Sequence, residues 1–300
     1  MRSAKPQLVV IGAGAAGDAA VASARASGYD GSVVLVGADR HRAYERPYLS
    51  KEYLRDEVPI DRVFLHEPDA YAQMDVTWLG GRRAVGASRE AGSVHLDDGS
   101  SLHFDQLVLA TGGSPRWLPG VPRAANVFTL RTLDDSTALR QAVAESRRLL
   151  VIGAGFIGAE VAAAARMMQK EVLLVEIAAV PLGRALGEEM GEVYAAIHRR
   201  HGVDLRTRTS VSRWLTRGDR IEAVELAGGA REEVDAVLLA VGIDPELDLA
   251  RDLGLPLGSG GVLVDAALEA APGIRCAGDI AAHFHPTFRR HLRVEHWQVA

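Results

Sequence analysis

Cysteine is nearly absent from this 300-residue chain, aromatic residues make up only 5%, and positive charge is in deficit, with a formal net charge of −5. Each shortage excludes something. The one cysteine, Cys276, cannot close an intrachain disulfide, and without a C-x-x-C pair there is no dithiol relay within the chain. Its setting, Gly273-Ile274-Arg275-Cys276-Ala277-Gly278-Asp279, reads as a short strand entering a turn, where a small buried residue is expected rather than a reactive thiol. A negative balance gives no electrostatic footing for nucleic acid. No run of eighteen apolar residues occurs, and MRSAKPQLVVIGAG enters a strand at once. Neither a membrane span nor a signal peptide is therefore expected, and a cytoplasmic location is the default. His283, His285, His291 and His296 lie close together, but no carboxylate or cysteine spacing makes them a recognisable metal site, so no metal is expected.

What the chain does have is glycine in two matching patterns. The first reads Leu8-Val9-Val10-Ile11-Gly12-Ala13-Gly14-Ala15-Ala16-Gly17, and the second Leu150-Val151-Ile152-Gly153-Ala154-Gly155-Phe156-Ile157-Gly158. Each follows an apolar run suited to a buried parallel strand and opens an alanine-rich stretch suited to a helix. The first glycine permits the tight turn, the second lets a pyrophosphate approach the backbone, and the third lets helix and strand pack closely. The helix N-terminus adds partial positive charge for the phosphates. One such pattern is weak evidence; two in matching contexts predict two bound dinucleotides. Each copy is followed by a second strand and an acid, Asp39 after Val33-Val34-Leu35-Val36 and Glu176 after Val172-Leu173-Leu174-Val175. A carboxylate there accepts from ribose hydroxyls and repels a 2′-phosphate, so the second site is expected to prefer NADH to NADPH.

Length and an apolar content of 48% suit two domains of alternating strands and helices. The second unit, from about 130 to 240, repeats the first and closes in Leu238-Leu239-Ala240-Val241-Gly242, which echoes Leu109-Ala110-Thr111-Gly112. Prolines 115, 119 and 122 mark one crossing and Pro245 the return. The expected class is α/β, with two Rossmann-like three-layer dinucleotide-binding domains, the second inserted in the first. Residues 1–118 and 245–300 would form one domain and 119–244 the other.

The motifs together resemble the FAD-dependent pyridine-nucleotide reductases, and within them the ferredoxin reductases that serve oxygenases and cytochromes P450. The resemblance rests on the two glycine patterns, the second ending in Gly158-Ala159-Glu160, on Tyr44-Glu45-Arg46-Pro47-Tyr48-Leu49-Ser50-Lys51, on Ala110-Thr111-Gly112 and on Ala277-Gly278-Asp279. Arg293-Val294-Glu295-His296-Trp297 is similar to the segment that reaches the flavin in the ferredoxin-reductase branch. The resemblance implies that Gly12, Gly14, Ala15 and Gly17 cradle FAD, bound non-covalently, with Asp39 at its ribose and Val85 at its adenine. Arg46, Pro47, Lys51, Thr111, Gly112, Arg131, Asp279 and Trp297 would complete that site. Gly153, Gly155, Ile157, Gly158, Glu160, Glu176, Arg184 and Gly242 would hold NADH. Lys51 and Glu160 would form the catalytic pair, the lysine stabilising charge on the reduced ring and the glutamate positioning the nicotinamide.

The implied activity is transfer of electrons from NADH through FAD to a small iron–sulfur ferredoxin, with Arg289-Arg290-His291-Leu292-Arg293 a candidate docking patch. An NADH oxidase, another FAD reductase with a different acceptor, or an NADH-responsive flavin-binding protein resembling apoptosis-inducing factor are the alternatives. Members of the family continue past the Glu-His-Trp segment into a small C-terminal domain. A chain stopping at Ala300 is therefore expected to lack that domain.

Overall fold

The computed structural model describes residues 5–295. The chain divides into two compact units: residues 1–45, 64–114 and 244–300 in one, residues 46–63 and 115–243 in the other.

The first unit is organised by a six-stranded sheet. Its order is Glu269–Ala271, Ile274–Cys276, Gln106–Leu109, Gln7–Ile11, Ser32–Gly37 and Val76–Gly80. All neighbours run parallel except the first pair. The central strands are nearly continuous apolar runs past their first residues, Gln7, Ser32 and Gln106, because both faces are covered. Val9, Ile11, Val34 and Val36 pack towards Val94 and Leu96 of a three-stranded antiparallel sheet and Phe104, which follows its last strand. Leu8, Val10, Val33 and Leu35 instead pack with Val21 of the helix Ala15–Ala26. The side-chain alternation of a strand thus feeds two separate cores. Helix, parallel sheet and antiparallel sheet make three layers.

The second unit repeats the plan. Its five-stranded sheet is fully parallel, in the order Asp204–Arg206, Glu171–Val175, Arg148–Ile152, Ala236–Leu239 and Val127–Phe128. The helix Phe156–Met167 packs on Arg148–Ile152 and Glu171–Val175. On the opposite face Leu150, Ile152, Leu173 and Val175 meet Ile221, Val224 and Leu226 of a second antiparallel sheet. Both units are Rossmann-like, and the α/β class expected from the alternating pattern is the class observed.

Residues 46–63 group with the second unit through specific bonds. Buried Ser136 donates from Oγ to the Leu49 carbonyl at 2.7 Å, and the Tyr53 and Thr137 hydroxyls lie 2.8 Å apart. Arg140 reaches Asp56 at 2.6 Å while its guanidinium lies 4.9 Å from the Tyr53 ring centroid. No helix among the described residues is long and apolar enough to cross a membrane.

Candidate functional site

In the first unit, the strand Gln7–Ile11 ends at Gly12, whose φ of +107° is open to glycine and strained for other residues. A Cβ there would lie 2.1 Å from the Ala110 carbonyl oxygen, and one at Gly17 would lie 1.7 Å from that of Gly12. Helix, turn and neighbouring strand therefore touch through backbone alone. Gly14 caps the helix in extended conformation without a side-chain bond, which leaves the first-turn amides, beginning at Ala15, to an anion. A cavity of about 310 Å³ opens beside this turn, lined by Ile11, Gly12, Val36 and Ala38, by Arg82, Arg83, Ala84 and Val85, and by Thr111, Glu246, Asp248 and Leu249. Val85 is 58% exposed at the wall of this cavity.

Thr111 donates to the Glu246 carbonyl at 2.8 Å, and the Gly112 carbonyl accepts from the Glu246 amide at 3.0 Å. The Asp39 carboxylate accepts from the Tyr44 hydroxyl at 2.7 Å and the His41 amide at 3.0 Å, and each oxygen has capacity for a second donor. Asp279 follows Gly278, where a Cβ would lie 2.9 Å from that of Ala16, so the acid stands against the first turn of the helix. The Asp279 carbonyl accepts from Arg293 at 3.0 Å. Arg290–Arg293 form an edge strand of a four-stranded sheet, and Arg293 also pairs with Glu295 at 2.6 Å. Trp297 lies outside the described residues.

The second unit builds the same turn. Gly153 has φ +96°, its Cβ would meet the Ala240 carbonyl oxygen at 2.5 Å, and one at Gly158 would meet the Gly153 carbonyl oxygen at 1.9 Å. Gly155 caps the helix, with nothing within 4 Å of where its Cβ would be. That leaves open space beside the free amides of the first turn, Phe156 and Ile157 among them. Glu176 reaches back to the turn: Oε2 accepts from the Ala154 amide at 2.6 Å and Oε1 from the Ala178 amide at 2.8 Å. The Leu182 amide donates to the Ala154 carbonyl at 2.9 Å, bringing the first turn of the helix Gly183–Arg200, and with it Arg184, to the same place. Gly242, at φ +95°, accepts at its carbonyl from the Arg116 amide at 3.0 Å.

One turn into the helix Phe156–Met167, Glu160 meets the segment Arg46–Ser50. Lys51 Nζ is 2.7 Å from Glu160 Oε1, and Ser50 Oγ donates to Oε2 at 2.6 Å. Lys51 and Glu160 are each about one-third exposed, so the charged pair faces outward enough to be reached. Arg46 and Pro47 share the short helix that carries Ser50, and Lys51 Nζ lies 3.4 Å from the Pro47 carbonyl. Arg131 precedes the helix Leu133–Glu145; its amide donates to Asp135 at 2.9 Å within a capping box with Thr132. The residues assigned to FAD are thus divided: the glycine turn, Asp39, Val85, Thr111, Gly112 and Asp279 belong to the first unit, and Arg46, Pro47, Lys51 and Arg131 to the second.

Several residues of these sites have no role that the sequence reveals. Ser50 is one; Arg82 and Arg83 are two more, legible as charge but not as cavity wall. Asp18, 6% exposed in the first turn of the helix, accepts from the Tyr71 hydroxyl at 2.7 Å and faces His66 Nε2 at 2.9 Å. Burial and the Asp18 carboxylate both push the Tyr71 phenol upward. Cys276 is buried in the sheet, and burial pushes its thiol up to about 12.

Two steric glycine turns, each with an open helix N-terminus and an acid after the second strand, define an oxidoreductase-type molecule built to hold two dinucleotides. The chain belongs to the pyridine nucleotide-disulphide oxidoreductase family, whose model matches residues 6–300. It is 36% identical over 299 residues to putidaredoxin reductase CamA of Pseudomonas putida, covering 98% of this chain and 71% of that protein. It is 38% identical to the ferredoxin–NAD(+) reductase component of the anthranilate 1,2-dioxygenase system of Burkholderia cepacia, covering 99% of this chain and 73% of the relative. Among solved structures, the covalent putidaredoxin reductase–putidaredoxin complex aligns with a TM-score of 0.95 at 35% identity, over 99% of this chain and 73% of that one.

Proposed function

We propose that this chain is an NADH-dependent flavoprotein reductase that passes electrons through FAD to a small iron–sulfur ferredoxin, itself serving an oxygenase or a cytochrome P450. The observation that carries the reading is the lack of a dithiol beside two complete dinucleotide turns. The family's description includes disulfides, but this sequence holds one cysteine, buried, with its thiol pushed far above neutrality. Electrons arriving here have no dithiol to pass through and leave directly for an outside acceptor.

FAD, when bound, supplies a carrier that takes an electron pair from NADH and releases electrons singly, as a cluster requires. The protein supplies the rest. Residues 1–118 with 245–300 hold FAD, its pyrophosphate on the Gly12–Gly17 turn, its adenine beside Val85 and its ribose at Asp39. Residues 119–244 hold NADH, with the pyrophosphate on the Gly153–Gly158 turn, Arg184 near the nucleotide and Glu176 at the ribose, where its charge repels a 2′-phosphate. Lys51 sets a positive charge where electron density arrives, and Glu160 answers that charge and orients the nicotinamide. The exposed Arg289 and Arg290, in the segment that runs on to Arg293, suit an acidic ferredoxin. With NADH as donor, the chain works in the cytoplasm.

The test is stopped-flow reduction of the FAD-loaded protein by NADH, followed by reoxidation with candidate ferredoxins and, separately, with oxygen. Rapid reoxidation by a ferredoxin supports the reading. Reoxidation by oxygen alone identifies an oxidase, and reduction without any fast reoxidation identifies a flavin-bearing binding protein.

A further inference from the structure

Glu160 has two carboxylate oxygens, and each has its own partner. Lys51 Nζ takes Oε1 at 2.7 Å, and Ser50 Oγ donates to Oε2 at 2.6 Å. The second bond has the short length of a hydroxyl donating to an ionised oxygen, a class of bond about twice as strong as a neutral one. Ser50 is 4% exposed, so water does not compete for its hydroxyl. The serine is itself held: it closes the short helix Arg46–Ser50, and the preceding carbonyl, that of Leu49, accepts from buried Ser136. A rigid donor on one oxygen and a mobile ammonium on the other leave the carboxylate one orientation. With only the lysine, the side chain of Glu160 could rotate and carry the ammonium with it.

We propose that Ser50 is a positioning residue for the reduction step, acting through Glu160 to fix where the Lys51 charge stands. The inference rests on the role given to Lys51 and Glu160 above. It requires the serine to matter only while residue 160 is a carboxylate, a condition that separates positioning from packing.

A double-mutant cycle tests it, with Ser50→Ala and Glu160→Gln made singly and together in the FAD-loaded protein. Two quantities are read: the single-turnover rate of reduction by NADH, and the rate at which an amine-acylating reagent labels Lys51 at fixed pH, followed by peptide mass spectrometry. Ser50→Ala should slow reduction about tenfold, the loss expected of one hydrogen bond to a charged group. It should fall on kcat more than on KM. Labelling of Lys51 should rise severalfold, because a less well-held carboxylate protects the ammonium less. In the Glu160→Gln background, Ser50→Ala should change either rate by less than twofold, and Ser50→Thr, which keeps the hydroxyl, should recover most of the loss.

Equal effects of Ser50→Ala in both backgrounds would overturn the proposal, since packing does not depend on a carboxylate. Unchanged Lys51 labelling in Ser50→Ala would overturn it as well. Labelling needs no NADH chemistry. If it moves as expected while Lys51→Met reduces at the parent rate, the assignment of Lys51 fails and the hydrogen-bond network stands.

Discussion

The two glycine turns are near copies in backbone and differ in charge. Gly12 and Gly153 share φ values of +107° and +96°, and at Gly17 and Gly158 an added Cβ would stand 1.7 and 1.9 Å from the carbonyl oxygen of the turn. The acids that follow behave differently. Asp39 is held within its own loop by Tyr44 and His41, whereas Glu176 spends one oxygen on the amide of Ala154, inside the turn itself. Within the helices, buried Asp18 in the first corresponds to buried Ala159 in the second, and Ala19 to Glu160. Backbone geometry therefore sets that a dinucleotide binds, and side-chain charge one step away sets what each turn contributes.

The strongest way to break the likeness is to fill one turn at a time. Gly17→Ala should yield protein without bound flavin. Gly158→Ala should yield yellow protein whose reduction by NADH is at least about 100-fold slower, since a methyl forced against a carbonyl costs about 3 kcal/mol. Visible absorbance and stopped-flow rates separate the two. Loss of flavin in both variants would mean that the turns are not independent.

Next in size is the charge that only the second unit carries. Lys51→Met should slow reduction by NADH on the order of 100-fold, about 3 kcal/mol, with little change in FAD affinity. Glu160→Gln should slow it less, since it removes the partner and keeps the cation. A rate for Lys51→Met within twofold of the parent would make Lys51 an ordinary surface residue.

The acids give a smaller contrast. Glu176→Ala should lower kcat/KM for NADH about tenfold, because it removes both the ribose acceptor and the partner of the Ala154 amide. Adding an arginine nearby should turn preference towards NADPH. Asp39→Ala should weaken FAD about fivefold, near 1 kcal/mol, as Asp39 does not brace the turn. Equal use of NADH and NADPH by the parent protein would refute the role of Glu176.

The mildest test uses pH. Burial, with His201 nearby, holds the His198 imidazole below its ordinary 6.5. As pH falls through 6.5 the unfolded chain takes up a proton that the folded second unit resists, so stability declines with acidification. His198→Gln should flatten this part of the stability–pH curve, measured by thermal melting between pH 7 and 5. An unchanged slope would show that the site takes a proton freely when folded.

Much of the fold was legible because it depends on features that repeat along the chain. The strands before each turn are continuous apolar runs, and the glycines stand where no Cβ fits, so Gly12, Gly17, Gly153 and Gly158 could be read directly. The proximity of Lys51 to Glu160 was legible only through resemblance, since nothing in composition links segments so distant in sequence. Ser50 lies within the motif Tyr44–Lys51, yet a serine beside a lysine reveals neither its burial nor a partner 110 positions away. Arg82, Arg83 and the Asp18–Tyr71–His66 cluster stayed hidden for the same reason: tertiary contacts between single side chains have no period.

The order in which the sheets are assembled gives the chain a schedule during synthesis. The strand Ile274–Cys276, which lies beside Gln106–Leu109 in the first sheet, is translated after every strand of the second sheet has been made. The second unit can therefore complete its five strands while the first still shows an open edge at Gln106–Leu109. Between those moments the unit destined for the first dinucleotide exposes unpaired backbone along an apolar strand, which is a template for aggregation. Slow translation between residues 240 and 276 would lengthen that exposure, and a chain interrupted there would be left with its first sheet unfinished and its second one whole.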